Sequence, residues 1–329
     1  MGIVRMKVLV CGGAGYIGSH MVRQLSGRGY DVVVLDNLST GHREAVGDIR
    51  LVEENLAQPQ FLDVVLAAER FDVVMHFCAR SLVGESVAKP YDYYQNNVVG
   101  TINLLRAMHN HGVGKLVFSS TAAVFGHPSQ ELIDEDHPTN PINPYGASKL
   151  MVERILHDAA HAYGLRSAAL RYFNAAGADP SAEIGESHQP ETHLIPNIFR
   201  AALGQTGPLS VFGTDYDTRD GTCVRDYVHV NDLAAAHLAA IGFIEANEGA
   251  HVFNLGNGDG FSVLETIEAA RRISGIDVPY ELAARRAGDP PTLVASSEKA
   301  KRLLGWQPEF DSIDSIIATA WQWHRQARF

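Results

Sequence analysis

Three glycines spaced three apart, Gly12, Gly15 and Gly18, follow the apolar run Lys7-Val-Leu-Val10-Cys11 and lead into a helical pattern. They constrain the fold of this 329-residue chain more than any other feature. Glycine is needed where a strand-to-helix turn is tight, where backbone must approach a pyrophosphate, and where the helix packs closely on the strand. Backbone N–H groups at the start of such a helix hold phosphate oxygens, and Gly12, Gly15, Tyr16, Ile17 and Gly18 are the expected cradle. A second strand, Asp31-Val-Val-Val-Leu35, ends in Asp36, eighteen residues beyond Gly18. An acid at that place accepts hydrogen bonds from a ribose diol and repels a 2′-phosphate. No arginine follows in Asn37-Leu38-Ser39-Thr40-Gly41, so the order strand, loop, helix, acid favours NAD over NADP.

A second constellation is Tyr145-Gly146-Ala147-Ser148-Lys149. Asn143 suits an N-cap and Pro144 the first helical position, so the spacing predicts a helix running to about Tyr163. Residues i and i+4 share a helix face, which places a phenol beside an ammonium. A neighbouring cation is expected to draw the Tyr145 pKa down from about 10 and fit it for taking and returning a hydroxyl proton.

Length and charge narrow the class. The chain is long enough for one large and one smaller lobe. No run approaches the ~18 apolar residues of a membrane span, and the start lacks the regions of a secretion signal, so a cytoplasmic location is expected. Cys11, Cys78 and Cys223 lie far apart, against a disulfide framework or a thiolate-bound metal. A net charge of −11 speaks against nucleic acid as a partner. Of fifteen histidines, His157 and His161 would share a helix face, but Asp158 stands where a zincin-type site needs glutamate. No metal is expected there. His109 and His111 fit the end of a helix before Gly112.

Strands are expected near 7–11, 31–35, 49–53, 72–77, 115–120 and 167–172, and helices near 16–28, 59–69, 91–110 and 144–163. Continuous apolar strands alternating with helices predict an α/β fold, a Rossmann-type doubly wound parallel sheet. After Phe173 the rhythm breaks into Gly-, Pro-, Asp- and Thr-rich sequence. Helices are expected again near 191–203, 231–247, 262–274, 297–304 and 311–327, with a strand at 250–255. Residues 1–173 read as the dinucleotide domain and 174–329 as a smaller α/β substrate lobe, with an interleaved boundary.

With these runs in view, the chain resembles the extended short-chain dehydrogenase/reductase family and, within it, the UDP-hexose 4-epimerases, over about residues 7–325. Gly12–Gly18 and Tyr145–Lys149 mark the superfamily. Val83-Gly-Glu-Ser86, Arg171-Tyr-Phe-Asn174, Val224-Arg-Asp-Tyr227 and Arg286-Ala-Gly-Asp289 point to nucleotide-sugar epimerases. The resemblance implies that Tyr145 acts as base on the sugar 4-hydroxyl while NAD takes the C4 hydride, giving a 4-keto sugar that turns over and is reduced on its other face. Lys149 would hold the nicotinamide ribose and Thr121 the reacting oxygen. By the same resemblance Asp36, Asn37, Asn55, Leu56, Phe77, Asn96, Ser119 and Tyr172 are cofactor contacts. Ser81, Asn174, His193, Leu194, Phe212, Arg225, Arg286, Asp289 and Leu293 are substrate contacts. Relatives pair two helices per subunit, which implies a homodimer through the helices near 91–110 and 144–163.

Departures from the family pattern leave the catalytic groups in place. Asn55 stands for a frequent Asp, Ser81 for a frequent Lys beside Arg80, Thr121 for Ser, and Phe125 for Tyr. Leu293 occupies the position that sets the hexose pocket, intermediate between a narrowing tyrosine and a small residue. Turnover of UDP-glucose and UDP-galactose with some activity on UDP-N-acetylhexosamines is the expectation. Other 4-epimerisations, of UDP-glucuronate or a UDP-pentose, stay open, since Arg80 or His193 could meet a carboxylate. A 4,6-dehydratase would need an acid/base pair after Thr121, where Ala122-Ala123 stands. A non-enzymatic NAD-sensing module would have no reason to keep Thr121, Tyr145 and Lys149 together.

Overall fold

The structure is a computed structural model that describes residues 5–130, 132–286 and 289–329. Seven strands form one all-parallel sheet: β1 (Lys7–Cys11), β2 (Asp31–Asp36), β3 (Arg50–Glu53), β4 (Val73–His76), β5 (Lys115–Ser119), β6 (Arg166–Tyr172) and β7 (Ala250–Leu255). Their order across the sheet is β7-β6-β5-β4-β1-β2-β3. The strands are covered on both faces, which is why they read as unbroken Val and Leu runs. Val8, Leu9 and Val10 have no exposed surface, and each such side chain contributes about 1.5–3 kcal/mol by burial.

On one face lie α1 (Tyr16–Gly27) and α6 (Val230–Ala246), sharing a core of Met21, Val22, Leu25, Leu233, Ala236 and Ile241. On the other lie α2 (Pro59–Ala68), α3 (Gly100–Asn110) and α4 (Pro144–Tyr163), joined through Leu62, Leu66, Leu104, Met108, Val152 and Leu156. The helix expected over 91–110 is not uniform. Pro90–Tyr93 is α-helical, Tyr94–Val99 widens into a π turn, and α3 continues from Gly100. The widened turn presents Asn97 inward, where its side chain bonds Arg80 N and O and Ser148 Oγ at 2.9–3.0 Å.

The second lobe packs α5 (Leu194–Ala202), α7 (Val263–Ser274) and α8 (Ile313–His324) around Ile198, Phe199, Ile267, Ile316 and Ile317. Short strands that the sequence pattern did not reveal tie it together. Val224–Arg225 pairs with Phe261–Ser262 and with Thr292–Leu293, and Asn174–Ala176 pairs with Tyr227–His229. Asp226 is the knot: fully buried, it accepts N–H bonds from Asn257, Gly258 and Ala295. Burial lifts its carboxyl to about 6 against those hydrogen bonds.

Candidate active site

Strand order reverses between β1 and β4, and the ends of the parallel strands at such a switch point open a crevice. Gly12 has φ +83° there, and a Cβ on it would meet Cys78 N at 2.7 Å; a Cβ on Gly18 would meet Gly12 O at 2.0 Å. Those two glycines hold the loop against both β4 and α1. Gly15, the N-cap of α1, offers no side chain to the first turn, so its N–H groups face the crevice mouth for a phosphate. Asp36 is buried at the end of β2 and accepts from Ala14 N and Leu38 N, each at 2.9 Å. Burial raises its pKa and these N–H groups oppose the rise. This glycine cradle with a fixed acid beyond it fits a dinucleotide.

The catalytic candidates meet at the ends of β5 and α4. Asn143 Oδ1 accepts from Gly146 N at 2.9 Å and Pro144 opens α4, so the local sequence sets the helix start as expected. Thr121 caps the next turn, accepting from Ala123 N at 3.1 Å, and its hydroxyl stands near enough to the Tyr145 phenol to pull its pKa down. Lys149 is buried, donates to Ser119 O at 2.7 Å and lies 4.7 Å from the centre of the Phe118 ring. Ser119 Oγ in turn bonds the Tyr172 hydroxyl.

One expectation is corrected. Burial pushes the Tyr145 phenol up, with the Thr121 hydroxyl pulling the other way, and Lys149 does not bring it down. The ammonium is engaged by a carbonyl and a ring face, and burial draws Lys149 itself down to about 7. His76 lies close by, neutral through burial, with Nε2 2.8 Å from Thr101 Oγ1.

Sequence reasoning passed over the support beneath this pair. Glu153, eight residues beyond Tyr145 on the same helix face, accepts from Arg171 Nε at 3.0 Å and from Arg171 Nη2 and Ser120 Oγ. Both partners are buried, so each charge depends on the other. Glutamate at i, i+4, i+8 from Tyr145 and Lys149 was the available signal.

The second lobe contributes a cavity of 220 Å³ lined by Asn174, His193, Leu194, Phe212, Arg225, Arg286 and Asp289. Arg225 donates to the carbonyls of Val224 and Pro290, and its Nη2 lies 3.6 Å from Asp289 Oδ1. Arg286 lies 4.0 Å from the Phe212 ring centre and covers that face of the expected substrate contact. Ala287 and Gly288, the middle of that motif, lie outside the described residues. Leu293 does not line this cavity; it packs with Ala122, Val124, Phe125 and Leu150, beside the Thr121 turn.

Other expected contacts are engaged locally. Asn55 Oδ1 accepts from Ala57 N and Asn37 Oδ1 from Ser39 N, while Asn96 donates to Asn97. Leu56 is buried, and Phe77 packs 4.9 Å from the His237 ring. Tyr16 donates its hydroxyl to Gly177 O at 2.7 Å, joining the glycine loop's helix to the second lobe. Ser81 is exposed, and Arg80 reaches Glu85 and Asp92 at 3.8 Å.

The family model described as NAD dependent epimerase/dehydratase family matches residues 8–256. A UDP-glucose 4-epimerase of Halalkalibacterium halodurans is 51% identical over 321 residues, 98% of this chain and 96% of that one. The crystal structure of UDP-glucose 4-epimerase from Brucella ovis in complex with NAD superposes with a TM-score of 0.94 at 47% identity, covering 97% of this chain and 98% of the other. That from Bifidobacterium longum in complex with NAD+ and UDP gives 0.93 at 40% identity, covering 98% and 99%.

Proposed function

Because the chain belongs to the NAD dependent epimerase/dehydratase family, we propose that it interconverts UDP-glucose and UDP-galactose at C4 with NAD as cofactor. The feature that supports the reading is the meeting of Thr121, after β5, with Tyr145 and Lys149 on α4, in a chain that also carries the glycine loop after β1 and a cavity lined by Arg225 and Arg286. The dinucleotide, when bound, supplies reversible redox chemistry at C4. Tyr145 Oη takes the 4-hydroxyl proton and returns it to the carbonyl oxygen of the 4-keto sugar, giving the alcohol of opposite configuration, and Thr121 steadies that oxygen during both transfers. Lys149, anchored on Ser119, fixes the cofactor ribose. Arg225 and Arg286 suit a diphosphate, since a guanidinium pairs with two phosphate oxygens at once.

Two finer readings accompany this one. Leu293, packed beside the Thr121 turn, is the wall that meets the hexose, and its intermediate size admits some UDP-N-acetylhexosamine. The chain pairs as a homodimer through α3 and α4: a groove of 490 Å³ between them is lined by Leu105, Met108, Ile155 and Ala159. Tyr91 and Val87 on neighbouring helices, and Met151 on α4 itself, add exposed apolar surface.

The test is incubation of the purified protein with UDP-galactose, UDP-N-acetylgalactosamine or UDP-glucuronate, without and with added NAD, followed by chromatography of the UDP-sugars. UDP-galactose should convert to UDP-glucose, with at least ~100-fold loss in Tyr145→Phe. No conversion with NAD present would overturn the reading, and conversion of UDP-glucuronate alone would move it to the acidic sugar.

A further inference from the structure

Four ligand-bearing side chains converge from one loop beside the second-lobe cavity: Glu186, His188, Glu191 and His193, spaced Glu-x-His-x-x-Glu-x-His. One oxygen or nitrogen from each lies within 4.8 Å of all the others. His188 Nδ1 is 3.3 Å from Glu186 Oε1 and 3.7 Å from Glu191 Oε2. His193 Nδ1 is 2.6 Å from Glu186 Oε1 and 3.3 Å from Glu191 Oε1. Around a tetrahedral zinc ion with bonds of about 2.0–2.2 Å, neighbouring ligand atoms stand roughly 3.3–3.6 Å apart. The His188–Glu186 and His193–Glu191 separations, both 3.3 Å, sit at that spacing.

A second observation is independent of the spacing. The Glu186 side chain is 4% exposed, yet its Oε1 has no hydrogen bond of acceptable geometry among the described residues, and neither has the buried His188 Nδ1. At 3.3 Å these two atoms are close enough to bond but are not aimed at each other. Polar atoms left without a hydrogen-bond partner at such depth are costly unless a ligand engages them.

We propose that Glu186, His188, Glu191 and His193 form a binding site for a divalent cation of the zinc class. Once an incoming ion has displaced the imidazole protons, two carboxylates and two imidazoles carry a charge of −2, which one divalent cation balances. Two nitrogens and two oxygens without a thiolate suit zinc ahead of magnesium or calcium, which take oxygen shells. The outer contacts also fit. Trp323 Nε1 donates to Glu186 O at 2.8 Å, and Thr192 N and His193 N donate to Glu191 Oε1, each at 2.8 Å. The His188 ring meets the Tyr16 ring edge-on at 6.2 Å. Such outer contacts orient ligands and hold the loop around the ion. Four protein ligands leave no open position, so the site is structural: it fixes His193, the N-cap of α5, on the wall of the cavity.

This site is separate from the epimerisation reading and is tested without turnover. Full-length protein, stripped with a chelator and dialysed into metal-free buffer, is titrated with Zn2+ against a chromophoric competitor and separately with Co2+. One ion per chain and the strong visible absorption of tetrahedral Co2+ are expected. Glu191→Gln, which keeps the side-chain shape, and His188→Ala should each weaken Zn2+ binding at least ~100-fold and abolish the Co2+ band. His157→Ala, which removes the exposed histidine pair on α4, should leave both intact. Uptake in the wild-type chain no greater than in Glu191→Gln, or loss of binding in His157→Ala alone, would overturn the site.

Discussion

Lys149 shows at the scale of one residue how burial sets chemistry. Its side chain is shut from solvent and desolvation brings it to about 7, although Cys78 and Glu153 act in the opposite direction. A base whose folded-state pKa lies below its unfolded value stabilises most at high pH, where both states hold the neutral amine. That stability is lost as the pH falls from about 10.5 toward about 7, because the unfolded chain takes up the proton first. Each unit of difference corresponds to about 1.4 kcal/mol. Lys149→Met is therefore expected to raise the melting midpoint of dinucleotide-free protein at neutral pH, with the gain shrinking steadily toward pH ~10.5. The same change should lower turnover at least ~100-fold. Melting curves across that range check the first expectation, and a gain independent of pH would show that the ammonium is not desolvated.

At the scale of elements, the start of α4 is pressed onto the turn after β5. A Cβ at Gly146 would lie 2.4 Å from Ala123 O, so only glycine lets Tyr145 reach the Thr121 hydroxyl. Gly146→Ala should lift the helix start, lowering kcat at least ~10-fold while KM for the UDP-sugar changes less than ~3-fold. Steady-state kinetics decide, and an equal rise in KM would place the damage in binding instead. The helices and sheet strands were legible because burial on both faces leaves uninterrupted Val and Leu runs, and because Asn143-Pro144 announces its helix. The two-residue pairings of Val224–Arg225 were not, since they are set by distant partners and carry no period of their own. The same contrast runs through the site. Tyr145 and Lys149 are found by helical spacing, whereas Glu153 was passed over, since nothing in its own spacing marks it as buried against Arg171. Spacing also drew attention to His157 and His161, whose rings do meet edge-on, 4.6 Å apart, on an exposed face. The tighter grouping of Glu186, His188, Glu191 and His193 lies in a loop, where no period exists to reveal it.

At the scale of the molecule, several exposed apolar side chains fall on α4 and on the short helices beside it. Tyr91 is 86% exposed and Val87 64%, on short helices that pack against α4, which also carries the half-exposed Met151. Patches of this kind mark interfaces. Tyr91→Glu combined with Met151→Glu should halve the mass seen by light scattering while the circular dichroism of the subunit persists. A mass unchanged from that of the wild type would place the contact elsewhere. The edge strand β7 bears on how such a subunit comes to exist at all. It pairs with β6 only after 77 intervening residues (173–249) have been made, and α6 from that same stretch covers α1. During synthesis, the glycine loop's helix lacks its cover and β6 keeps an open edge until residue 255 has emerged. The first half of the chain therefore waits for the second, and the two lobes are a single act of folding instead of two domains matured in turn.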